Sequence, residues 1–279
     1  MTDGGSGARL VAPAVVLVVA VTGTALGAVL ATSLGLLPLV GQPRLSADGF
    51  TVVAGDLRGA AQESLVTATT ATVLAAIIGL TTATVIVRAG GGARLVIGCA
   101  VVALTVPHLV GAAATGLLLS DVGLAQRWTG IPASSWPDLV GGRWPWATVL
   151  ELAWKESAFV ALVVVAAIGR PYAELREAAA VLGATPRAQW RRVMVPLAAP
   201  ALTASSLIVF LYSLGTYEVA RLLGRAYPEP LPVMAYRLFT NIDVTARPQA
   251  AATAVVATAL ALTATLIILP VLHRLGAER

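Results

Sequence analysis

The most informative segment of the chain is EAAAVLGATPRAQWRRVMVP, from Glu177 to Pro196. In its first half apolar residues recur at helical spacing and Glu177 lies on another side, which predicts a short amphipathic helix. Gly183 follows, as is common where a helix ends. Thr185 and Pro186 then suit the N-cap and the first position of a second helix. The pattern predicts two short helices bent at Gly183, the second running into an apolar segment.

This polar hairpin is unlike the rest of the chain. The 279 residues are 57% hydrophobic and only 12% charged, whereas soluble domains carry about 25% charged residues. A helix needs about 20 mostly apolar residues to cross a bilayer. We therefore predict a single all-α domain, residues 1–279, that is a polytopic membrane protein with six transmembrane helices. The predicted spans are 10–37, 63–87, 95–119, 146–169, 194–217 and 248–272, and the hairpin loop covers 170–197.

Six spans place both termini on one side of the membrane. The first span is longer than the apolar core of a secretory signal, so we expect it to be a retained helix. Basic residues are divided almost evenly between the two sides, so charge alone does not orient the chain. The high isoelectric point, about 10.0, does not indicate a nucleic-acid partner, because the basic residues are spread through loops and are not gathered on a soluble domain. The expected surroundings of the spans are membrane lipid.

The sequence contains no recognisable catalytic, cofactor or metal site. Lys155 is the only lysine, and its neighbours contain no glycine, so the chain lacks the phosphate-binding loop that ATP hydrolysis requires. His108 and His273 have no cysteine or carboxylate pair close in sequence. They are predicted to be packing or interface histidines and not metal ligands.

Charged and helix-breaking residues near the spans are candidates for a transport route. Glu151 and Lys155 are four residues apart, which favours a local ion pair over a substrate contact. Ionisable groups inside a membrane often mark a pathway, and a proline can free backbone carbonyls towards a cavity or simply kink a helix. A possible translocation pathway is assigned to Pro107, Ser213, Glu218 and Arg221.

Five of the six tryptophans lie between residues 128 and 154. Because an indole prefers the headgroup layer, this region is predicted to lie along the membrane surface. A cage of aromatic rings that stacks on substrate is the alternative, and Trp136 distinguishes the two.

The hairpin resembles the EAA loop of type I ABC importer permeases. That family has E-A-A, three residues, G, nine residues and I-x-L-P; here the same intervals join Glu177, Gly183 and Val193-x-Val195-Pro196, with valine at both aliphatic positions. In the family this loop is cytoplasmic and docks in a cleft of the ATPase subunit, with the glutamate pairing there and the glycine making the bend. The resemblance assigns ATPase coupling to Glu177, Ala178, Ala179, Gly183, Ala184, Thr185 and Pro186.

Other segments extend the resemblance over most of the chain. QESLVTATTATVLAAIIGLTTA, TVPHLVGAAATGLLL and WKESAFVALVVVAAI look like the second, third and fourth spans of the family, although Ala158 stands where a proline is frequent. LGA at 182–184 and GTYEVARLLG at 215–224 are most similar to the branch that imports polyamines, iron, thiamine or phosphonates.

The resemblance implies a permease subunit in the prokaryotic inner membrane, with both termini cytoplasmic. Its expected partners are ABC ATPase subunits that bind ATP and Mg²⁺, a second permease, more naturally a different chain than a second copy, and an extracytoplasmic substrate-binding protein. A small solute would cross between the two permeases. The alternatives are a secondary transporter or channel driven by an ion gradient and, third, a membrane assembly factor that transports nothing.

Overall fold

A computed structural model describes residues 4–89 and 92–277. This part of the chain consists of helices and loops and contains no strand. The helices are α1 (Gly4–Ser33), α2 (Asp48–Thr51), α3 (Ala54–Arg88), α4 (Ala93–Thr105), α5 (His108–Leu119), α6 (Leu124–Thr129), α7 (Trp146–Val181), α8 (Pro186–Gln189), α9 (Val195–Gly215), α10 (Glu218–Leu223), α11 (Leu231–Phe239) and α12 (Arg247–Ala277).

Six helical segments are long and apolar enough to cross a membrane. They are Leu10–Ser33, Ala54–Arg88, His108–Thr129, Trp146–Gly169, Pro186–Gly215 and Val244–Gly276. The prediction of an all-α membrane protein with six transmembrane helices is confirmed. The ends of the predicted 1–279 domain, residues 1–3 and 278–279, lie outside the described residues.

The third predicted span, 95–119, is not one helix. It is broken between α4 and α5, where Val106 has an extended backbone (ψ 123°) and Pro107 precedes the first residue of α5. A proline has no N–H to donate and clashes with the preceding turn, so the helix stops. Of the two outcomes considered for Pro107, the structure has a true interruption.

The first arm of the hairpin is not a separate short helix. It is the end of α7, which continues without a break from the fourth span to Val181 and contains Pro171. The apolar span itself ends at Gly169, as expected, and the first part of the predicted loop is a continuation of the same helix. The helix continues beyond Pro171 because Tyr172 is packed in the core, with 1% of its surface exposed. Tertiary packing here outweighs the local cost of the proline.

The centre of the molecule is α3, which packs against α7 and α9. The α3–α7 contact is close: a Cβ atom on Gly79 would lie 2.7 Å from the Cβ atom of Val160. Small residues allow helix backbones to approach in this way inside a membrane. We call the end of the molecule that carries Gly183 the hairpin end, and the opposite end, where α1 ends and α12 begins, the distal end.

The long loop between α5 and α7 is attached to α5 through Trp136. Its Nε1 atom donates to the carbonyl oxygen of Leu119, the last residue of α5, at 2.9 Å.

We expect Trp136→Ala to lower the thermal stability and yield of the protein, because one hydrogen bond, worth about 1 kcal/mol, and the ring packing are lost. Trp136→Phe, which keeps an aromatic ring, should have a thermal stability between those of the wild type and Trp136→Ala. Thermal midpoints measured on detergent-solubilised protein check this order, and normal stability with a selective loss of substrate affinity would instead support the stacking cage.

Candidate functional site

The bend of the hairpin requires a glycine because of its backbone conformation. Gly183 has φ +77°, in the left-handed region that side chains disfavour. Its N–H donates to the oxygen of Ala180, and the N–H of Ala184 donates to the oxygen of Ala179, both at 2.9 Å. These bonds satisfy carbonyls that the end of a helix leaves free. A Cβ atom on Gly183 would meet nothing within 4 Å, so space is not the constraint.

The second arm begins with the cap that its sequence predicts. Thr185 has an extended backbone, and its hydroxyl oxygen accepts from the N–H of Ala188 at 3.3 Å, with Pro186 as the first helical residue. The side-chain amide of Gln189 donates back to the oxygen of Ala184 at 3.0 Å. The bend and the second arm are thus joined by hydrogen bonds on both sides of Thr185.

A π-helical turn, Trp190–Met194, connects this arm to α9. The N–H of Val195 donates to the oxygen of Trp190, five residues back. The indole N–H of Trp190 donates to the hydroxyl of Thr84 in α3 at 3.3 Å, and Met194 is fully buried. The second arm is therefore continuous with α9 and attached to the central helix.

The first arm is attached to the same helix. The Nε atom of Arg88, the last residue of α3, donates to the hydroxyl oxygen of Tyr172 at 3.1 Å. Tyr172 and Met194 belong to one buried apolar cluster that includes residues of α3, α7 and α9. The hairpin is therefore in contact with three long helices, α3, α7 and α9.

The tip of the hairpin is open and partly apolar. Val181 is 88% exposed and Leu182 is 86% exposed. Glu177 and Ala178 are exposed beside them, and within the described ranges Glu177 has no ion-pair partner. Of the remaining predicted coupling residues, Ala179 and Ala184 are half-buried, and Gly183, Thr185 and Pro186 are exposed. The predicted coupling residues thus form one continuous turn.

A second polar region lies at the break between α4 and α5, and we call it the polar cluster: His108, Glu151, Lys155, Glu156 and Tyr212. The Nδ1 atom of His108 lies 3.5 Å from a carboxylate oxygen of Glu151, and its Nε2 atom lies 3.3 Å from one of Glu156. The His108 and Tyr212 rings are 4.7 Å apart between centroids. Glu151 is fully buried, and neither of its oxygens has a hydrogen-bond partner among the described residues.

Lys155 does not pair with Glu151, contrary to the expected local ion pair. The four-residue spacing does place both on one buried face of α7. The ammonium group of Lys155, however, donates to the carbonyl oxygens of Ala103, at 3.1 Å, and Val106. Ala103 is four residues before Pro107, so its oxygen lacks the N–H that an unbroken helix would provide. Lys155 therefore caps the interrupted end of α4.

The other predicted pathway residues do not form a single site. Ser213 is buried next to Tyr212, and its hydroxyl has no partner in the part of the chain that the structure describes. Glu218 and Arg221 are exposed on α10, and no ion pair joins them. Arg221 instead faces a distal cavity of about 470 Å³ that Tyr217, Glu229, Tyr236 and Arg237 also line.

The loop beside this cavity is attached to α3 by polar contacts. Arg225 forms an ion pair with Glu63, and the N–H of Leu231 donates to the hydroxyl oxygen of Ser64 at 2.8 Å. The hydroxyl of Tyr227 donates to a carboxylate oxygen of Asp56 at 2.9 Å, and this hydrogen bond to a negative group raises the pKa of Tyr227. These contacts join the loop beside the distal cavity to the first turns of α3.

Residues 75–277 match the family described as the binding-protein-dependent transport system inner membrane component. The chain belongs to this family. The resemblance drawn from the EAA spacing is thereby confirmed. Two inner membrane ABC transporter permease proteins of Escherichia coli (strain K12) are similar to this chain. YnjC is 29% identical over 144 residues, which are 50% of this chain and 27% of YnjC. YdcU is 42% identical over 66 residues, which are 24% of this chain and 21% of YdcU. The chain thus matches only about a quarter of the length of these relatives.

Two solved structures have the same fold as this permease family member. A bacterial ABC transporter involved in the import of the acidic polysaccharide alginate has a TM-score of 0.73 and 18% identity, over 96% of this chain and 98% of that chain. The bacterial alginate ABC transporter in complex with alginate pentasaccharide-bound periplasmic protein has a TM-score of 0.75 and 17% identity, over 93% and 91%. At these identities the likeness establishes the fold.

Sequence analysis of this permease missed most of the polar cluster. His108 is separated from Glu151 and Glu156 by more than forty residues, so no local pattern joins them. The available signal was the presence of ionisable groups within apolar spans, which are costly unless they serve a purpose. That signal identified the separate residues without indicating that they meet.

Proposed function

We propose that the chain is the transmembrane subunit of an ATP-binding-cassette importer. It forms half of the route for a small solute that a substrate-binding protein delivers from outside. Separate ATPase subunits bind ATP and Mg²⁺ and supply the work, and a second permease, different in sequence, completes the route. The hairpin end then lies in the cytoplasm, together with both termini.

The observation that carries this proposal is the attachment of the hairpin. Its arms are the ends of α7 and α9, and both are fastened to α3 through Tyr172 and Trp190. A force applied at Gly183 is therefore transmitted to three spans and not absorbed by a flexible loop. This is the mechanical property that a transporter driven by another subunit needs.

The surface of the tip supports a protein partner. Val181 and Leu182 are almost fully exposed at the end of the helix that carries Glu177, whose carboxylate has no ion-pair partner among the described residues. Exposed apolar residues with a charge beside them are typical of an interaction site. An ATPase cleft with an apolar floor and a basic rim would complement this tip.

The polar cluster favours one second candidate, a secondary transporter driven by an ion gradient. His108 between two carboxylates within the spans is a chemically suitable proton site. The two candidates differ in their energy source. Uptake that persists without any ATPase and collapses when the proton gradient is dissipated would support this alternative.

Glu177→Arg tests the docking of the hairpin. We expect it to reduce the amount of ATPase subunit that co-purifies with the chain by about tenfold or more, because a like-charge contact costs several kcal/mol at an interface. Co-purified ATPase is quantified on gels, and ATP hydrolysis is measured on the same material.

Glu174→Arg is the matched control. It makes the same charge change at an exposed position three residues earlier in α7. Co-purification close to wild type is expected for it. If Glu177→Arg retains as much ATPase as Glu174→Arg, Glu177 does not pair with the partner and the docking role is wrong.

A further inference from the structure

An apolar groove lies at the distal end between α1, α11 and α12. Its volume is about 510 Å³, within the range of about 300 to 1,000 Å³ that is usual for ligand sites. One wall is the last turns of α1, including Ala28 and Thr32, and the opposite wall is the first turns of α12. Alanines at 250, 251 and 254 leave the space open along about 6 Å of α12, at 1.5 Å per residue.

The groove ends at a single positive charge. The guanidinium carbon of Arg247 lies 4.0 Å from the centroid of the Phe239 ring. Its Nε atom is buried without a hydrogen-bond partner, and no carboxylate of the described residues lies within ion-pair distance. Asp243, four residues earlier, is hydrogen-bonded elsewhere: one of its oxygens accepts from the N–H and the hydroxyl of Thr245, at 2.9 and 2.7 Å.

The position of Arg247 is that of a residue at the membrane surface. It is the first residue of α12, the last apolar span. The outward faces of α1 and α12, two of the three helices that line the groove, are apolar; Leu26 and Leu30 of α1 and Leu262 of α12 are exposed. The groove therefore opens towards hydrocarbon, and its charged end lies at the depth of the headgroups.

We propose that this groove binds one anionic phospholipid of the bilayer. The phosphate pairs with the guanidinium of Arg247, whose planar fork of N–H donors matches phosphate oxygens, and lies at the N-terminus of α12, where a negative charge is favourable. One acyl chain lies along the alanines of α12 and the end of α1. The lipid supplies the counter-ion that Arg247 lacks, and its chain fills the space that the small side chains leave. This site is independent of the proposed transport role.

The charge pattern favours a lipid over a helix of a second permease. An apolar partner helix would fill the groove but would bring no counter-ion for the guanidinium of Arg247, and a charge buried without a partner is costly. A phospholipid satisfies the groove and the charge together. A substitution at Ala254 tests the apolar groove separately from the charge, because Ala254 lines the groove about 10 Å from Arg247.

Native mass spectrometry of the full-length chain tests the proposal. The protein is stripped of lipid in detergent and reloaded with palmitoyl-oleoyl phosphatidylglycerol, or with the zwitterionic phosphatidylcholine that has the same chains. We expect the wild type to retain phosphatidylglycerol in preference to phosphatidylcholine. Arg247→Gln should weaken this retention about tenfold, the loss of one charge-assisted pair.

Two further variants make the result specific. Arg58→Gln removes an exposed arginine from the same end of the molecule and should retain lipid as the wild type does. Ala254→Phe fills the groove without changing charge and should also reduce retention, which covers the case in which Arg247→Gln does not fold. Equal retention by Arg247→Gln and Arg58→Gln, unchanged retention by Ala254→Phe, or release of the lipid when the second permease binds would each overturn the proposal.

Discussion

Gly183→Pro is expected to leave the chain in the membrane and to abolish ATP-coupled uptake. Proline fixes φ near −65°, whereas this position has φ +77°. The substitution also removes the N–H that donates to Ala180 and disfavours the backbone conformation of Leu182 before it, φ −77° and ψ 7°, because a residue before proline prefers an extended ψ. A cost of about 3 kcal/mol or more reduces the population of the native bend about 100-fold. The spans themselves lie outside the bend, so insertion should be normal.

A series at this position separates backbone conformation from contact with a partner. Asparagine tolerates the left-handed region better than alanine, so uptake should decrease in the order Gly, Asn, Ala, Pro. Uptake and ATP hydrolysis are measured in vesicles that contain the assembled complex. If asparagine is worse than alanine, the size of the side chain at the docking surface and not the bend decides activity. Normal uptake by Gly183→Pro would remove the mechanical basis of the proposed function.

The hairpin was predictable from sequence because its signals are local. The positive φ at Gly183 and the cap at Thr185 are decided by residues within one turn of them. The length of its first arm was not predictable, because α7 continues past Pro171 through the burial of Tyr172 and its hydrogen bond to Arg88. That contact joins residues 84 positions apart.

In the polar cluster, too, the sequence predicted the local arrangement and missed the long-range contact. Helical spacing correctly placed Glu151 and Lys155 on one face, but it suggested that they pair with each other. The actual partner of Lys155 is the backbone of the broken span, and the break itself depends on Pro107. Spacing within α7 carries no information about a helix end that approaches from another span, so the assignment of Lys155 required the structure.

Lys155→Met is expected to destabilise the fold strongly. The variant leaves the carbonyl oxygens of Ala103 and Val106 without their donor and removes a buried positive charge from the polar cluster. Hydrogen bonds from a charged donor are worth about 1.5 to 3 kcal/mol each, and breaking a buried charge cluster costs about 3 to 5 kcal/mol. A loss of about 3 kcal/mol or more in the free energy of unfolding should appear as a lower yield and thermal midpoint.

A second substitution identifies the cause. Pro107→Ala restores an N–H at the position whose helical acceptor is the oxygen of Ala103, so this oxygen no longer depends on Lys155. We expect Lys155→Met to cost about 1 kcal/mol less when Pro107 is alanine, one hydrogen bond being regained. Pro270→Ala, which removes a proline inside α12, is the matched control. Its effect on the free energy of unfolding should simply add to that of Lys155→Met. If the cost of Lys155→Met is equal in all three backgrounds, Lys155 does not stabilise the break, and its burial beside the two glutamates must be explained by the charges alone.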